Sequence, residues 1–150
     1  ESIKASEMLS DFGIESEVWS VSSFNMLRKD GMEVENENVK NASNKSKESF
    51  VTKSFSEHDI PTVASTDYMR AYSEQIRPYI NSPYYTLGTD GFGRSDSRAK
   101  LREFFEVDAR SIVMTAAYAL YKEDQLNKKE LQKIYKEIKV NKNKISPWNT

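Results

Sequence analysis

The sequence predicts an α/β domain of three layers, with helices on both faces of a largely parallel sheet. Three observations predict it. Runs rich in β-branched and aromatic residues (IESEVWSV, PTVAST, YYTL) alternate with segments of helical periodicity, the pattern of crossover units rather than hairpins. The first helical segment passes into the first of those runs across a single residue, Gly13, which is half of a crossover unit. The stretch Ile112 to Leu120 is apolar nearly all round, as a helix at the centre of a layered domain must be.

The elements follow in order. SIKASEMLSDFG sets Ala5, Met8, Leu9 and Phe12 at helical spacing and stops at Gly13, a natural left-handed cap. IESEVWSV is read as the first strand. A parallel crossover needs a strand before its helix as well, and this helix starts next to Glu1, so the opening strand or strands of the sheet are expected upstream. A short helix is expected from Ser23 to Asp30, ending at Gly31. From there the chain is almost wholly polar, rich in Asn, Ser and Lys, and residues 33–58 are expected to form an exposed loop or insertion. FVTKSF within it suits a turn of helix, and PTVAST, opened by Pro61, a buried strand. Met69, Tyr72, Ile76 and Tyr79 fall on one side of a helix that Pro78 and Pro83 close. YYTL is the third strand. Leu101, Phe104 and Phe105 line the next helix, and Asp108 is placed to cap the one after it. In KKELQKIYKEIK, Leu131, Ile134, Tyr135 and Ile138 form a single apolar stripe.

Composition bounds the function. The 150 residues suit one domain, and 22 Lys and Arg nearly cancel 23 Asp and Glu, so no overall field favours nucleic acid or acidic lipid. Glu1 to Glu37 is acidic, and Lys122 to Lys144 carries eight lysines against four acids; these read as two solvated helix faces, with a basic docking tail as the alternative for the second. With no cysteine there is no disulfide framework and no thiolate metal site, and no window approaches the roughly 20 apolar residues of a membrane span. A soluble, cytoplasmic chain is the expectation.

The stretch with the densest chemistry is GTDGFGRSDSR, residues 88–98, which holds three of the five glycines between a strand and a helix. Backbone N–H groups and a helix end can bind an anion at such a place. Yet Gly88, Gly91 and Gly93 do not match G-x-G-x-x-G, there is no GK[ST], and Asp90 and Asp96 repel phosphate unless committed to Arg94, Arg98 or helix amides. Two readings stand. In one, the glycines take left-handed dihedrals, Phe92 plugs into the core, and Asp96 or Ser97 caps the helix beginning near Arg98. In the other, Arg94 and Arg98 make an anion or partner site. No catalytic, cofactor-binding or metal-binding residue is assigned: His58, the single histidine, lies in a polar loop, and no two carboxylates stand in an apolar setting that would part their pKa values.

Three strings carry a resemblance: VWSVSSFNMLRKDG, VASTDYMRAYSEQIRPYI, and YYTLGTDGFGRSDSRAKLREFFEVDARSIVMTAAYAL. From about Glu17 to Leu120 the chain resembles the carboxyl-terminal domain of the single-chain, homodimeric type of pyruvate dehydrogenase, and FGRS with Leu101, Phe105 and Val107 is similar to the wider transketolase pattern. The resemblance implies a transketolase C-terminal-like α/β/α fold with a mixed sheet, joined to preceding domains that hold thiamine diphosphate and magnesium. It implies as partners those domains, a second copy of the enzyme and the lipoyl acyltransferase component of the complex. It also implies that no residue here inherits a catalytic role. The asparagine- and serine-rich stretch between Glu35 and Ile60 departs from the family pattern, and nothing is carried onto His58.

Overall fold

Two short strands set the frame: β1 (Thr62–Ser65) and β2 (Tyr84–Leu87) run parallel, pairing Thr62 with Tyr84 through Ser65 with Leu87. The ladder extends past both ends, where Thr62 N–H donates to Pro83 O at 2.8 Å and Thr66 N–H to Leu87 O at 3.0 Å. The structure is a computed structural model, describing residues 1–42, 46–56 and 60–149.

Alternation along the strands builds two cores, one on each face of the sheet. On one face Val63 and Leu87 meet Leu9, Val107, Ile112, Val113 and Ile134; on the other Ala64 and Tyr84 meet Val51, Ile76 and Ile80. The first face is covered by α1 (Ser2–Asp11), α6 (Ala109–Lys122) and α7 (Lys128–Glu137), the second by α2 (Phe24–Lys40), α3 (Phe50–Phe55) and α4 (Ala71–Glu74). The α/β class with helices in two outer layers is therefore what forms. The central position expected for Ile112 to Leu120 is also found, with Val113, Ala117 and Ala119 at 0% exposure.

Several ends form where side-chain chemistry places them. Gly13 takes φ +75° and its N–H donates to Ser10 O, closing α1 with a left-handed residue. Asp108 accepts the Ser111 N–H at 3.1 Å to start α6. Asn127 and Glu130 form a reciprocal capping box at the start of α7. A polar brace ties α4 to β2: the Tyr84 hydroxyl donates to Ser73 O at 2.8 Å, Thr86 Oγ1 to Glu74 at 2.5 Å, and Arg77 to both Glu74 and Tyr84 O. The Arg77 guanidinium, and then the Thr86 hydroxyl, hold the Glu74 carboxyl below the usual carboxylate range, while burial pushes the Tyr84 phenol up.

Four expectations are corrected. IESEVWSV is not a strand: residues 14–21 carry no strand pairing, and Val18, Trp19 and Val21 are exposed, because a strand needs a hydrogen-bonded neighbour and among the described residues none pairs with it. The helix begun at Phe24 does not stop at Gly31 but runs to Lys40. Gly31 serves close approach instead of capping, since a Cβ there would meet the Tyr79 ring at 2.4 to 2.6 Å. Most of the described part of the polar stretch is exposed, though Ser49 and Val51 within it are buried at 3% and 2% exposure, and its first part belongs to this helix. There Glu37 pairs with Lys47 at 2.6 Å, and Asn38 exchanges two bonds with the Lys47 backbone. The stretch from Met69 to Tyr79 breaks into α4 and a 3-10 turn (Arg77–Tyr79), because Pro78 supplies no N–H to continue an α-helix. His58 lies outside the described residues. Among the described residues no helix is long and apolar enough to cross a membrane.

Candidate functional site: the glycine-rich loop

The loop leaves β2 at Leu87 and reaches α5 (Arg98–Phe104). Two of its three glycines have a role that requires glycine. At Gly88 a Cβ would lie 2.6 Å from Arg70 N and 2.7 Å from Tyr68 O, so only glycine lets the loop cross the segment that follows β1. Thr89 stitches that crossing: its N–H donates to Tyr68 O at 2.9 Å and its hydroxyl to Asp67 O at 3.0 Å. Gly91 takes φ +121° and abuts Pro147 O. Gly93 has open space around it and no positive φ.

The charged groups of the loop are largely spent on the domain itself. Asp90 accepts the Arg70 N–H at 3.3 Å and faces Arg70 Nε at 3.1 Å, an ion pair rather than an aligned hydrogen bond. The Arg70 guanidinium also stacks on the Trp148 ring, 4.7 Å from its centroid. Arg94 lies over Phe104 at 4.0 Å. Asp96 accepts the Ser97 N–H at 2.7 Å, and Ser97 Oγ accepts from Lys100 N–H at 3.4 Å as the cap of α5. Arg98 is exposed, with no ion pair among the described residues. Phe92 is 81% exposed, which corrects the expectation that it fills the core: next to it the loop packs the backbone of Gly91 against Pro147, and the ring stays outside.

Sequence reasoning missed Arg70 and Trp148, which lie 18 and 50 residues from the ends of the loop, and it missed the carboxyl-terminal 3-10 turn (Pro147–Asn149) that seats against it. A second cluster went unforeseen just past the carboxyl end of β1, beside the loop's crossing. Arg102 bridges Glu1 at 3.3 Å and Asp67 at 3.4 Å, and Glu1 Oε2 accepts the Ala109 N–H at 2.9 Å.

Chemically, the loop presents the Phe92 ring and the Arg94 and Arg98 side chains at its surface and keeps Asp90, Asp96 and Ser97 for its own shape. Among the described residues no three of His, Asp, Glu or Cys converge to hold a metal. Thiamine diphosphate with magnesium does not fit this donor set: a diphosphate needs several convergent cations beside its metal, and among the described residues no acidic groups converge to hold a metal while the loop offers only the exposed Arg94 and Arg98.

The fold and the loop coincide with one known domain. Residues 1–108 match the model of the transketolase-like TK C-terminal domain, and the chain belongs to that family. It is similar to the Pyruvate dehydrogenase E1 component of Cupriavidus necator, at 42% identity over 99% of this chain and 17% of the relative. It is also 54% identical to that of Pseudomonas aeruginosa over 73% of the chain and 13% of the relative, and 39% identical to that of Escherichia coli K12 over 96% and 16%. The chain thus spans about a sixth of the length of the curated relatives it matches, and it corresponds to their carboxyl-terminal part.

Proposed function

We propose that this chain is the terminal domain of an enzyme that decarboxylates pyruvate on thiamine diphosphate and passes the two-carbon unit to a lipoyl group. The domain's own contribution is contact surface. It braces the preceding domains and the dimer, within a cytoplasmic complex that includes a lipoyl acyltransferase. The observation that carries this reading is the 42% identity across 99% of the chain to one end of a far longer enzyme. The contacts of Asp90, Arg94, Asp96 and Ser97 with groups of this same domain support it, because a loop held by its own domain is suited to present a fixed surface. The contribution to rate is indirect: buried contacts hold cofactor-bearing parts in register.

A second reading, a docking module that binds an anion or partner through Gly88–Arg98, draws on the exposure of Phe92 and Arg98. Changing both Arg94 and Arg98 to alanine in the longer enzyme separates the two. Parallel loss of dimerisation, thermal stability and pyruvate turnover supports the bracing role. A change confined to assembly with the other components, with turnover and stability intact, supports docking.

A further inference from the structure

We infer that residues 144–149 form a releasable strap, closed in this structure over Arg70 and the glycine loop, and that its opening reshapes the face at the carboxyl ends of β1 and β2. Neither the strap nor its opening depends on the activity proposed above.

The way the strap is attached makes it separable. The Lys144 N–H donates to Asn141 O at 3.3 Å and the Asn149 N–H to Ser146 O at 2.9 Å, both within the segment 141–149. Among the described residues, no backbone bond ties Lys144, Ile145, Ser146, Trp148 or Asn149 to any other part of the domain. Side chains make the attachment instead. Lys144 Nζ donates to Glu103 O and lies 3.5 Å from Glu106 Oε1, and Pro147 is under 2% exposed. The Arg70 guanidinium lies over the Trp148 ring, 4.7 Å from its centroid. A segment held chiefly through side chains opens as a unit without breaking a strand ladder.

The loop beneath is shaped by this contact. Gly91, at φ +121°, leaves space for Pro147 O, to which a Cβ would come within 2.7 Å. Thr89 bonds through its N–H to Tyr68 O, whereas among the described residues none of 91–94 makes a backbone bond. The course from Gly91 to Arg94 is therefore set by the contact of Arg94 with Phe104 and by the strap.

Closure also works against one group. Arg70 Nε is buried without an aligned hydrogen-bond acceptor, although it pairs with Asp90 Oδ2 at 3.1 Å. Lifting the ring from this guanidinium gives the donor water. Burial of Pro147 and the stacked indole favour the closed form, and the unsatisfied donor favours the open one. β1 and β2 end at Ser65 and Leu87, so the segments that follow them, 66–70 and 88–94, make up the face the strap crosses. With the strap away, Arg70 and Asp90 are uncovered, and Phe92 and Arg94 are presented in a new arrangement.

Nuclear magnetic resonance of the 150-residue chain tests the inference. Relaxation dispersion at the Trp148 indole N–H, the Arg70 Nε–H and the Gly91 amide is expected to give one shared opening rate on the microsecond-to-millisecond scale. Lys144→Ala removes one attachment and is expected to raise the open fraction at all three by about two- to five-fold, the range of a partly exposed ion pair. Trp148→Ala is expected to lower the order parameters of Gly91, Phe92 and Gly93 from about 0.85 to below about 0.6, with Thr89 unchanged. Trp148→Phe should keep them high, because a ring still covers Arg70. No dispersion, three unrelated rates, indifference to Lys144→Ala, a loop that stays rigid in Trp148→Ala, or loss of order at Thr89 together with the loop would each overturn the inference. The last result would mean that the segment is an inseparable part of the core. No turnover enters the readout, so failure of the longer enzyme to decarboxylate pyruvate refutes the proposed function and leaves the strap standing.

Discussion

Replacing Gly88 by alanine tests whether the loop's shape is imposed by backbone contact. The added Cβ would sit 2.6 Å from Arg70 N, 2.7 Å from Tyr68 O and 3.0 Å from Arg70 Cα, all main-chain atoms with no rotamer to yield. Ordinary carbon contacts begin near ~3.5 Å, so the segment 68–70 must retreat by the better part of an ångström. That movement strains the Thr89 N–H bond to Tyr68 O at 2.9 Å, the Thr89 hydroxyl bond to Asp67 O at 3.0 Å and the Arg70 N–H bond to Asp90. Overpacking at about 1–3 kcal/mol, with one to two hydrogen bonds weakened at about 1 kcal/mol each, puts the cost near 3 kcal/mol. At about 2–4 °C per kcal/mol for a chain of this size, the midpoint of thermal unfolding by circular dichroism should fall by about 6–12 °C. Gly93→Ala is the internal control. With open space and no positive φ it should leave the midpoint within about 2 °C, or raise it slightly by restricting the unfolded chain. A Gly88→Ala protein that melts with the parent would refute the reasoning.

Other outcomes follow from the same geometry. Gly31→Ala forces the Tyr79 ring off α2 and should cost about 1–2 kcal/mol in urea titration, less than Gly88→Ala because a ring can move where a backbone cannot. Phe92→Ser, at a side chain 81% exposed, should shift the urea midpoint of the isolated chain by under about 0.5 kcal/mol equivalent. Glu74 ionises more readily in the folded chain than in the unfolded one, so its pairing stabilises above the ordinary carboxylate pKa of 4.5 and is lost as pH falls through the lowered value. Glu74→Gln should therefore narrow the stability difference between pH 7 and pH 3. The narrowing should stay below about 1 kcal/mol, since the carboxylate is 36% exposed and solvent screens the pair.

What the sequence made legible is what local chemistry decides. Gly13, Ser97, Asp108 and the stripe of α7 act within a turn or two of themselves, and the helix ends form where those residues stand. IESEVWSV failed as a strand because β-propensity is expressed only beside a pairing partner, and among the described residues the sheet holds only β1 and β2. Gly31 misled because glycine serves two ends, a left-handed cap or a close approach, and the Tyr79 ring that decides between them lies 48 residues away in the chain. In the candidate site, the Ser97 cap was readable. The fates of Asp90 and Phe92 were not, because they depend on Arg70, Pro147 and Trp148, contacts that no window around the loop contains.

Titration calorimetry of thiamine diphosphate with magnesium, into this chain and into the longer enzyme of which it would be the end, measures the division of labour most directly. No heat of binding with the chain alone, beside saturable magnesium-dependent binding to the longer enzyme, is the predicted result. Tight, magnesium-dependent binding by the 150 residues on their own would contradict the account.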